Sequence, residues 1–309
     1  MCRSRVDHDY KENGEYVKYG RLNTGVISLN IVNVALTCLK DGDISDEHFF
    51  KVLKERCELM EEVIKYRFSY VCKMKAKDAP VLFKYGAICR RDDEDSLEDI
   101  FRSSRASFSF GYVGIDDCVR LLKDNKTILT KEGREFGLKI IKFIRDEVER
   151  IKKDNNIPLS LYGTPFETGI HSLYQEDYKH FKDVMPKWLT DREYYTNSYH
   201  FSSELPTDAF TKVGAESEFV GYSNGGNIVY SEIGSIRHNT DAIIELIQFG
   251  NAHGVQYQAF NVRASQCFKC GYKGDIKYDE NISKYKCPNC GNEDNKTMSI
   301  IMRCCGLTK

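Results

Sequence analysis

The chain has 309 residues, enough to bury one large core or two, and its 41% apolar content with nineteen tyrosines and seventeen phenylalanines excludes a disordered polymer. Lysine and arginine (45) nearly balance aspartate and glutamate (46), so the basic field on which duplex nucleic-acid binding depends is missing, and no direct nucleic-acid partner is expected. No apolar run approaches the roughly eighteen residues that cross a bilayer, and single cysteines scattered through apolar segments fit a reducing compartment; the expectation is a soluble, cytoplasmic protein with no membrane partner.

Residues 25–32 form a compact apolar run with β-branched side chains, the pattern of a strand buried on both faces. Residues 46–74 then read as a helix capped by Asp46, with Phe49, Phe50, Leu53, Cys57, Met60 and Ile64 at three- and four-residue steps. The alternation returns as a strand over 106–111 before a helix over 116–122, and as a strand over 159–162 before a helix over 165–173. Residues 136–152 carry an apolar side of Leu138, Ile141, Ile144, Val148 and Ile151. A further amphipathic helix spans 240–253, with Gly254 at its C-terminal cap, and 256–262 is the last strand. Short strands alternating with long helices predict an α/β fold with a parallel sheet or barrel, whose chemistry gathers at the carboxyl ends of the strands.

Three loops stand out. In Tyr162-Gly163-Thr164-Pro165-Phe166-Glu167 a hydroxyl and a helix-starting proline meet at a predicted helix N-terminus, where free amides attract phosphate; a plain Thr164 cap with Glu167 closing a capping box fits equally well. Ser223-Asn224-Gly225-Gly226-Asn227 fits a turn better than a phosphate loop. The run Asp191 to His200 is dense in polar and aromatic residues, as site linings and interfaces are, and His200 is a candidate base, although a solvent-facing or satisfied histidine fits better. No Ser-His-Asp order, two-histidine metal motif, Walker loop or dinucleotide-binding glycine set is present.

Near the C-terminus, Cys267 and Cys270 stand as C-x-x-C, and Cys287 and Cys290 repeat it. Each pair is followed by a glycine that relieves backbone crowding, so four thiolates converge on one ion; this is the zinc-ribbon pattern, favoured over disulfides. Four thiolates close the coordination shell, which makes the zinc structural.

The ordered motifs resemble the large catalytic subunit of the anaerobic (class III) ribonucleotide reductases, a glycyl-radical family. Met1-Cys2-Arg3-Ser4 resembles the family's G-C-R-S-F finger loop, and Gly20-Arg21-Leu22-Asn23-Thr24-Gly25-Val26 its G-R-x-N-x-G-V stretch. Ala79-Pro80, Tyr85-Gly86-Ala87, Arg105-Ala106 and Gly111-Tyr112-Val113-Gly114 follow in the family's order. Thr164-Pro165-Phe166-Glu167 resembles its S-T-P-x-E loop, the 191–200 run its D-x-E-Y-Y-T-N-S-x-H sequence, and Arg303-Cys304-Cys305-Gly306 its terminal R-x-C-G.

The resemblance implies the second half of a ten-stranded α/β barrel followed by a zinc ribbon, divided as a finger-loop segment (1–24), an α/β half-barrel (25–264), and the ribbon with the start of the radical loop (265–309). It implies reduction of ribonucleotides, as triphosphates, to deoxyribonucleotides. An iron-sulfur activase using S-adenosylmethionine would generate a glycyl radical at Gly306, and Cys2 would carry the thiyl that takes the ribose 3'-hydrogen. Asn23 would bind ribose hydroxyls, Thr164, Pro165 and Glu167 would lie at the substrate, and Cys267, Cys270, Cys287 and Cys290 would hold the zinc. Family members are about twice as long and continue beyond the radical glycine, and Arg5 stands where they carry an aromatic. The expectation is therefore a piece of a split or truncated reductase that needs a complementary N-terminal half, the complete enzyme being a homodimer. The alternative is an inactive remnant that keeps scaffold and zinc.

Overall fold

Side-chain alternation decides which way the sheet faces. In 107–112 the odd positions are Ser107, Ser109 and Gly111, and the even ones are Phe108, Phe110 and Tyr112. A strand sends successive side chains to opposite faces, so one face is hydroxylic and small and the other aromatic. The computed structural model describes residues 4–5, 11–12, 14–16, 19–103, 105–203, 205–233, 239–262, 265–279, 282 and 284–300. It places strand β1 (Leu22–Asn30) parallel to β2 (Ala106–Val113), which pairs parallel with β3 (Leu159–Gly163). Strands β4 (Val229–Ile233) and β5 (Gln258–Val262) form a second parallel pair.

The aromatic face lies under the helices. Phe108 meets Phe68 of α2 (Asp46–Val71) edge to face at 5.5 Å, and Ile27, Leu29, Phe110, Leu159 and Leu161 join the same core. That core continues through Ile115, Cys118 and Val119 of α3 (Ile115–Leu122) into α4 (Lys131–Asn155), where Ile140, Ile141, Ile144, Val148 and Ile151 are buried at helical spacing. On the surface between α2 and α4, Glu61 pairs with Arg150 at 2.7 Å and Lys54 with Glu147 at 2.6 Å.

Local chemistry sets the boundaries, and several differ from the sequence expectation. The first strand ends at Asn30, whose side chain accepts the Asn33 N–H and opens helix α1 (Ile31–Asp41). Residues 31 and 32 are therefore helical, and β1 is only half-buried along most of its length; it is not a strand covered on both faces. Ser45, rather than Asp46, caps α2 by accepting the His48 N–H at 3.2 Å. Thr130 caps α4 a turn and a half before the predicted start.

The turn at 223–227 has a second use. Gly225 N–H donates to Leu161 O at 2.7 Å, Gly163 N–H donates to Gly226 O at 3.0 Å, and Asn224 Oδ1 accepts the Leu161 N–H. The turn thus runs along the free edge of β3 and joins the two sheets. Helices α6 (Ala209–Val220) and α7 (Thr240–Ala252) flank β4 and β5. No helix among the described residues is long and apolar enough to cross a membrane.

The described residues of 265–300 have a small core of their own, made by Cys267, Ile276, Cys287 and Met298. Their strands are short: Ser265–Cys267 pairs with Lys273–Gly274 and Met298–Ser299, and Lys277–Asp279 pairs with Lys284–Lys286.

Candidate functional site

The hydroxylic face of the sheet brings together residues far apart in the chain. Asn23 Nδ2 donates to Ser109 Oγ at 2.7 Å, while its Oδ1 accepts the Gly25 N–H at a bulge in β1. Ser28 Oγ and Thr164 Oγ1 share a hydrogen bond of 2.9 Å that passes over Gly111. A methyl group at Gly111 would lie 2.1 Å from Thr164 Oγ1 and 2.4 Å from Ser28 Oγ, so only glycine lets the two hydroxyls meet. Val26, Ser28, Tyr162, Thr164, Pro165 and Glu167 then border a cleft at the carboxyl ends of the strands. Farther along the same face, the Arg5 N–H donates to Gly225 O at 2.7 Å, and Gly225 abuts Ser160. Arg5 is thereby held on this surface.

The 162–167 loop differs from both sequence expectations. The helix that follows, α5 (Gly169–Phe181), begins at Gly169, so Thr164 and Pro165 lie before it and Thr164 caps nothing. Glu167 adopts a left-handed backbone (φ 49°) and closes no capping box. The Thr164 amide donates to Tyr112 O, proline has no N–H, and the Phe166 amide donates to Asn197 Oδ1 at 2.7 Å. These amides are therefore engaged by the protein itself, and what the loop offers the cleft is the Thr164 hydroxyl.

Asn197 belongs to the 191–200 run, whose residues 195–200 are buried beside this loop. Arg192 Nη2 pairs with Asp117 Oδ2 at 2.6 Å, and the Thr196 N–H donates to the same oxygen. Asp116, beside it, is pushed up to about 7 by burial and by the Asp117 charge. Asp177 accepts from Asn30, Asn33 and Tyr195; burial raises its carboxyl and those three donors oppose the rise. Ser198, like Glu167, has a positive φ (40°), which concentrates backbone strain where the two loops meet.

His200 is neither solvent-facing nor isolated. It is buried, its Nδ1 lies 3.1 Å from Glu216 Oε2, and its ring meets Tyr230 edge to face. Burial alone would raise Glu216, but Lys212 and His200 outweigh it and hold the carboxyl below its ordinary value. Lys212 also reaches Glu232 at 2.7 Å. Neither Lys212 nor Glu216 stood out in the sequence, because each sits within an ordinary helical pattern.

The four cysteines converge. Their sulfurs all lie within 4.8 Å of one another, with Cys267 to Cys290 at 3.8 Å and Cys270 to Cys287 at 3.7 Å, far beyond the roughly 2.05 Å of a disulfide. The two knuckles match: Gly271 N–H donates to Cys267 O and Gly291 N–H to Cys287 O, both at 2.9 Å, and both glycines have positive φ. Hydrogen bonding from the Asn289 side chain and the Tyr272 amide draws Cys270 down to about 6. At Cys290 the Asn292 amide favours the thiolate, but the surrounding sulfurs prevail and push it up to about 12. The first thiolate is welcomed by its neighbours and the last is opposed by them, a conflict that a divalent cation relieves. Four soft donors at these separations fit zinc.

Cys2 and Gly306 lie outside the described residues. Of the other residues singled out from the sequence, Asn23 and Thr164 share one sheet face, Pro165 and Glu167 border its cleft, and the cysteines form a centre of their own. Ser28 and Ser109 were not singled out, although the Ser-Phe-Ser-Phe-Gly-Tyr alternation at 107–112 carried the signal.

Fold and site together define a parallel α/β protein with a polar sheet face and an appended four-thiol centre. Solved structures share that fold. An anaerobic ribonucleotide reductase matches with TM-score 0.60 and 21% identity over 91% of this chain and 39% of its own. The anaerobic ribonucleotide reductase of Thermotoga maritima in complex with dATP and CTP matches with TM-score 0.54 and 21% identity over 87% and 40%. The chain belongs to the anaerobic ribonucleoside-triphosphate reductase family, whose model matches residues 1–309. The anaerobic ribonucleoside-triphosphate reductase of Escherichia coli K12 is 34% identical over 308 residues, 99% of this chain and 42% of that protein. The enzyme of that name from Enterobacteria phage T4 is 29% identical over 306 residues, 48% of its length. The chain thus spans less than half the length of the curated relatives it matches.

Proposed function

We propose that this chain carries the ribose-binding and radical portion of an anaerobic ribonucleotide reductase, acting on ribonucleoside triphosphates. The observation that carries this reading is the convergence of Arg5, Asn23, Ser28 and Thr164 on one hydroxyl-lined sheet face. Amide and hydroxyl side chains arrayed on a rigid sheet suit a sugar, whose hydroxyls both donate and accept. Asn23, braced by Ser109, would hydrogen-bond the ribose hydroxyls. The Thr164 hydroxyl, braced by Ser28, would meet the substrate at the cleft, with Pro165 and Glu167 shaping its rim.

Cys2, three residues before Arg5, would carry the thiyl that abstracts the ribose 3'-hydrogen, and Gly306 would store the radical. An iron-sulfur activase using S-adenosylmethionine would install it, and the portion of the relatives that this chain does not span would complete the barrel and a homodimer. Cys267, Cys270, Cys287 and Cys290 would hold a structural zinc, which supplies cross-linking of the two knuckles and no redox chemistry.

The test is anaerobic electron paramagnetic resonance on the chain, assembled with that complementary portion and treated with activase, reductant and S-adenosylmethionine. A carbon-centred doublet is expected, lost in Gly306→Ala and kept in Cys2→Ala, with deoxyribonucleotide formation lost in both. A folded, zinc-loaded assembly that gives no doublet sinks the proposal.

A further inference from the structure

Asn292 lies outside both C-x-x-C pairs, yet it bonds to a cysteine of each. Its backbone carbonyl accepts the Cys287 N–H at 2.9 Å. Its side-chain Nδ2 reaches across to the other knuckle, 3.5 Å from Cys267 Sγ, within the range of an N–H···S hydrogen bond. The same Nδ2 donates to Thr297 Oγ1 at 2.9 Å, and Oδ1 accepts the Asp294 N–H at 3.3 Å. The side chain is thus held by three partners and is only 7% exposed.

A buried amide held this firmly has little freedom to turn away from the sulfur. The sulfur is itself fully buried, so the donor acts where water cannot replace it. Asn289 is the contrasting case: it hydrogen-bonds Cys270 within the second knuckle's own loop, but it is solvent-exposed. Four thiolates around a divalent cation carry a net charge of about −2, and an N–H directed at a sulfur offsets part of that charge without entering the coordination shell.

We propose that Asn292 is the positioning residue of the cysteine centre: it fixes the Cys267 sulfur against the second knuckle and stabilises its thiolate, thereby setting the affinity for zinc. This rests on the zinc reading above. Outer partners of metal ligands typically contribute ~10–100-fold in affinity, and that is the expected size of the effect.

The experiment uses the full chain loaded with zinc, and separately with cobalt(II) as a spectroscopic probe. Chelator competition on Asn292→Asp and Asn292→Ala should show zinc affinity reduced ~10–100-fold, the Asp variant more, because a carboxylate beside the thiolate adds repulsion. The thiolate-to-cobalt charge-transfer band should move to lower energy in both variants, since a thiolate stripped of its donor gives up an electron more readily. Thr297→Val removes a structural partner of Asn292 while leaving the N–H···S contact, so it should leave the band in place; Asn289→Ala should have the smaller effect on affinity. Circular dichroism checks that the α/β body is intact in each variant. Wild-type affinity with an unmoved band in the Asn292 variants overturns the proposal, as does an equal band shift in Thr297→Val, which would reduce Asn292 to a packing residue. Wild-type protein that takes up no metal would overturn the zinc reading first, and is seen before any variant is compared.

Discussion

The α/β body and the cysteine unit solve the same problem by opposite means. The body covers a parallel sheet with long amphipathic helices and buries continuous rows of Ile, Val, Leu and Phe. Among the described residues of 265–300, Ile276 and Met298 are buried with Cys267 and Cys287, and Tyr272, Tyr285 and Ile300 pack against them. A segment of that size cannot remove enough apolar surface from water to offset the entropy of ordering its chain. On the zinc reading its stability comes from the ligands that converge within it, whereas the body is large enough to bury ion pairs of its own, Arg192 with Asp117 and His200 with Glu216.

Four changes would break or sharpen this contrast. Chelating the metal should have the largest effect: structural zinc contributes about 10–16 kcal/mol in small metal-folded peptides, so the 265–300 unit should unfold while the helices of the body keep their far-ultraviolet dichroism. A single cooperative transition that moves with chelator would show that the two regions are one. Arg192→Leu comes next, because it strands the buried Asp117 carboxylate without a counter-ion. A loss of about 3–5 kcal/mol by urea titration is expected, with zinc stoichiometry unchanged.

Asp116 should give the body a pH dependence of its own. Its carboxyl rises from an ordinary 3.8 to about 7 in the folded chain, so between those values the fold holds a proton that the unfolded chain releases. Its contribution is fully present below about pH 4 and is lost as the pH rises through about 7. Asp116→Asn should flatten that slope and leave the protein more stable at pH 8, by up to about 4 kcal/mol for a shift of this size. A parallel slope in mutant and wild type would rule out the assignment. Gly111→Ala should be the mildest, costing about 1–3 kcal/mol as the added methyl forces Ser28 and Thr164 apart. Its cost to substrate binding should exceed its cost to stability, which isothermal titration with a ribonucleoside triphosphate on the assembled enzyme would compare.

What was legible in the sequence followed from local periodicity. The core faces of α2 and α4 were visible because burial against a single sheet imposes 3.6-residue spacing, and the four cysteines because the paired C-x-x-C pattern is the spacing that tetrahedral thiolate ligation requires. The first strand was misjudged because Ile31 and Val32 look like strand residues in isolation, whereas Asn30 turns the chain by capping the Asn33 amide. The helix predicted from Pro165 is present but starts four residues later, at Gly169, for a long-range reason: the Thr164 hydroxyl bonds Ser28, 136 residues away, and the Phe166 amide donates to Asn197. No window centred on residue 164 contains either partner. His200 read as a candidate base or, better, as a solvent-facing or satisfied histidine; it is buried and satisfied by Glu216, a partner that only the folded chain brings beside it.

The turn at 223–227 carries one more implication. Because its amides and carbonyls interlock with Leu161 and Gly163, the β4–β5 pair cannot open without disturbing the edge of β3. In hydrogen–deuterium exchange the amides of Leu161, Gly163 and Gly225 should therefore slow and quicken together, making this turn the hinge pin that merges two separate ladders into one cooperative unfolding unit.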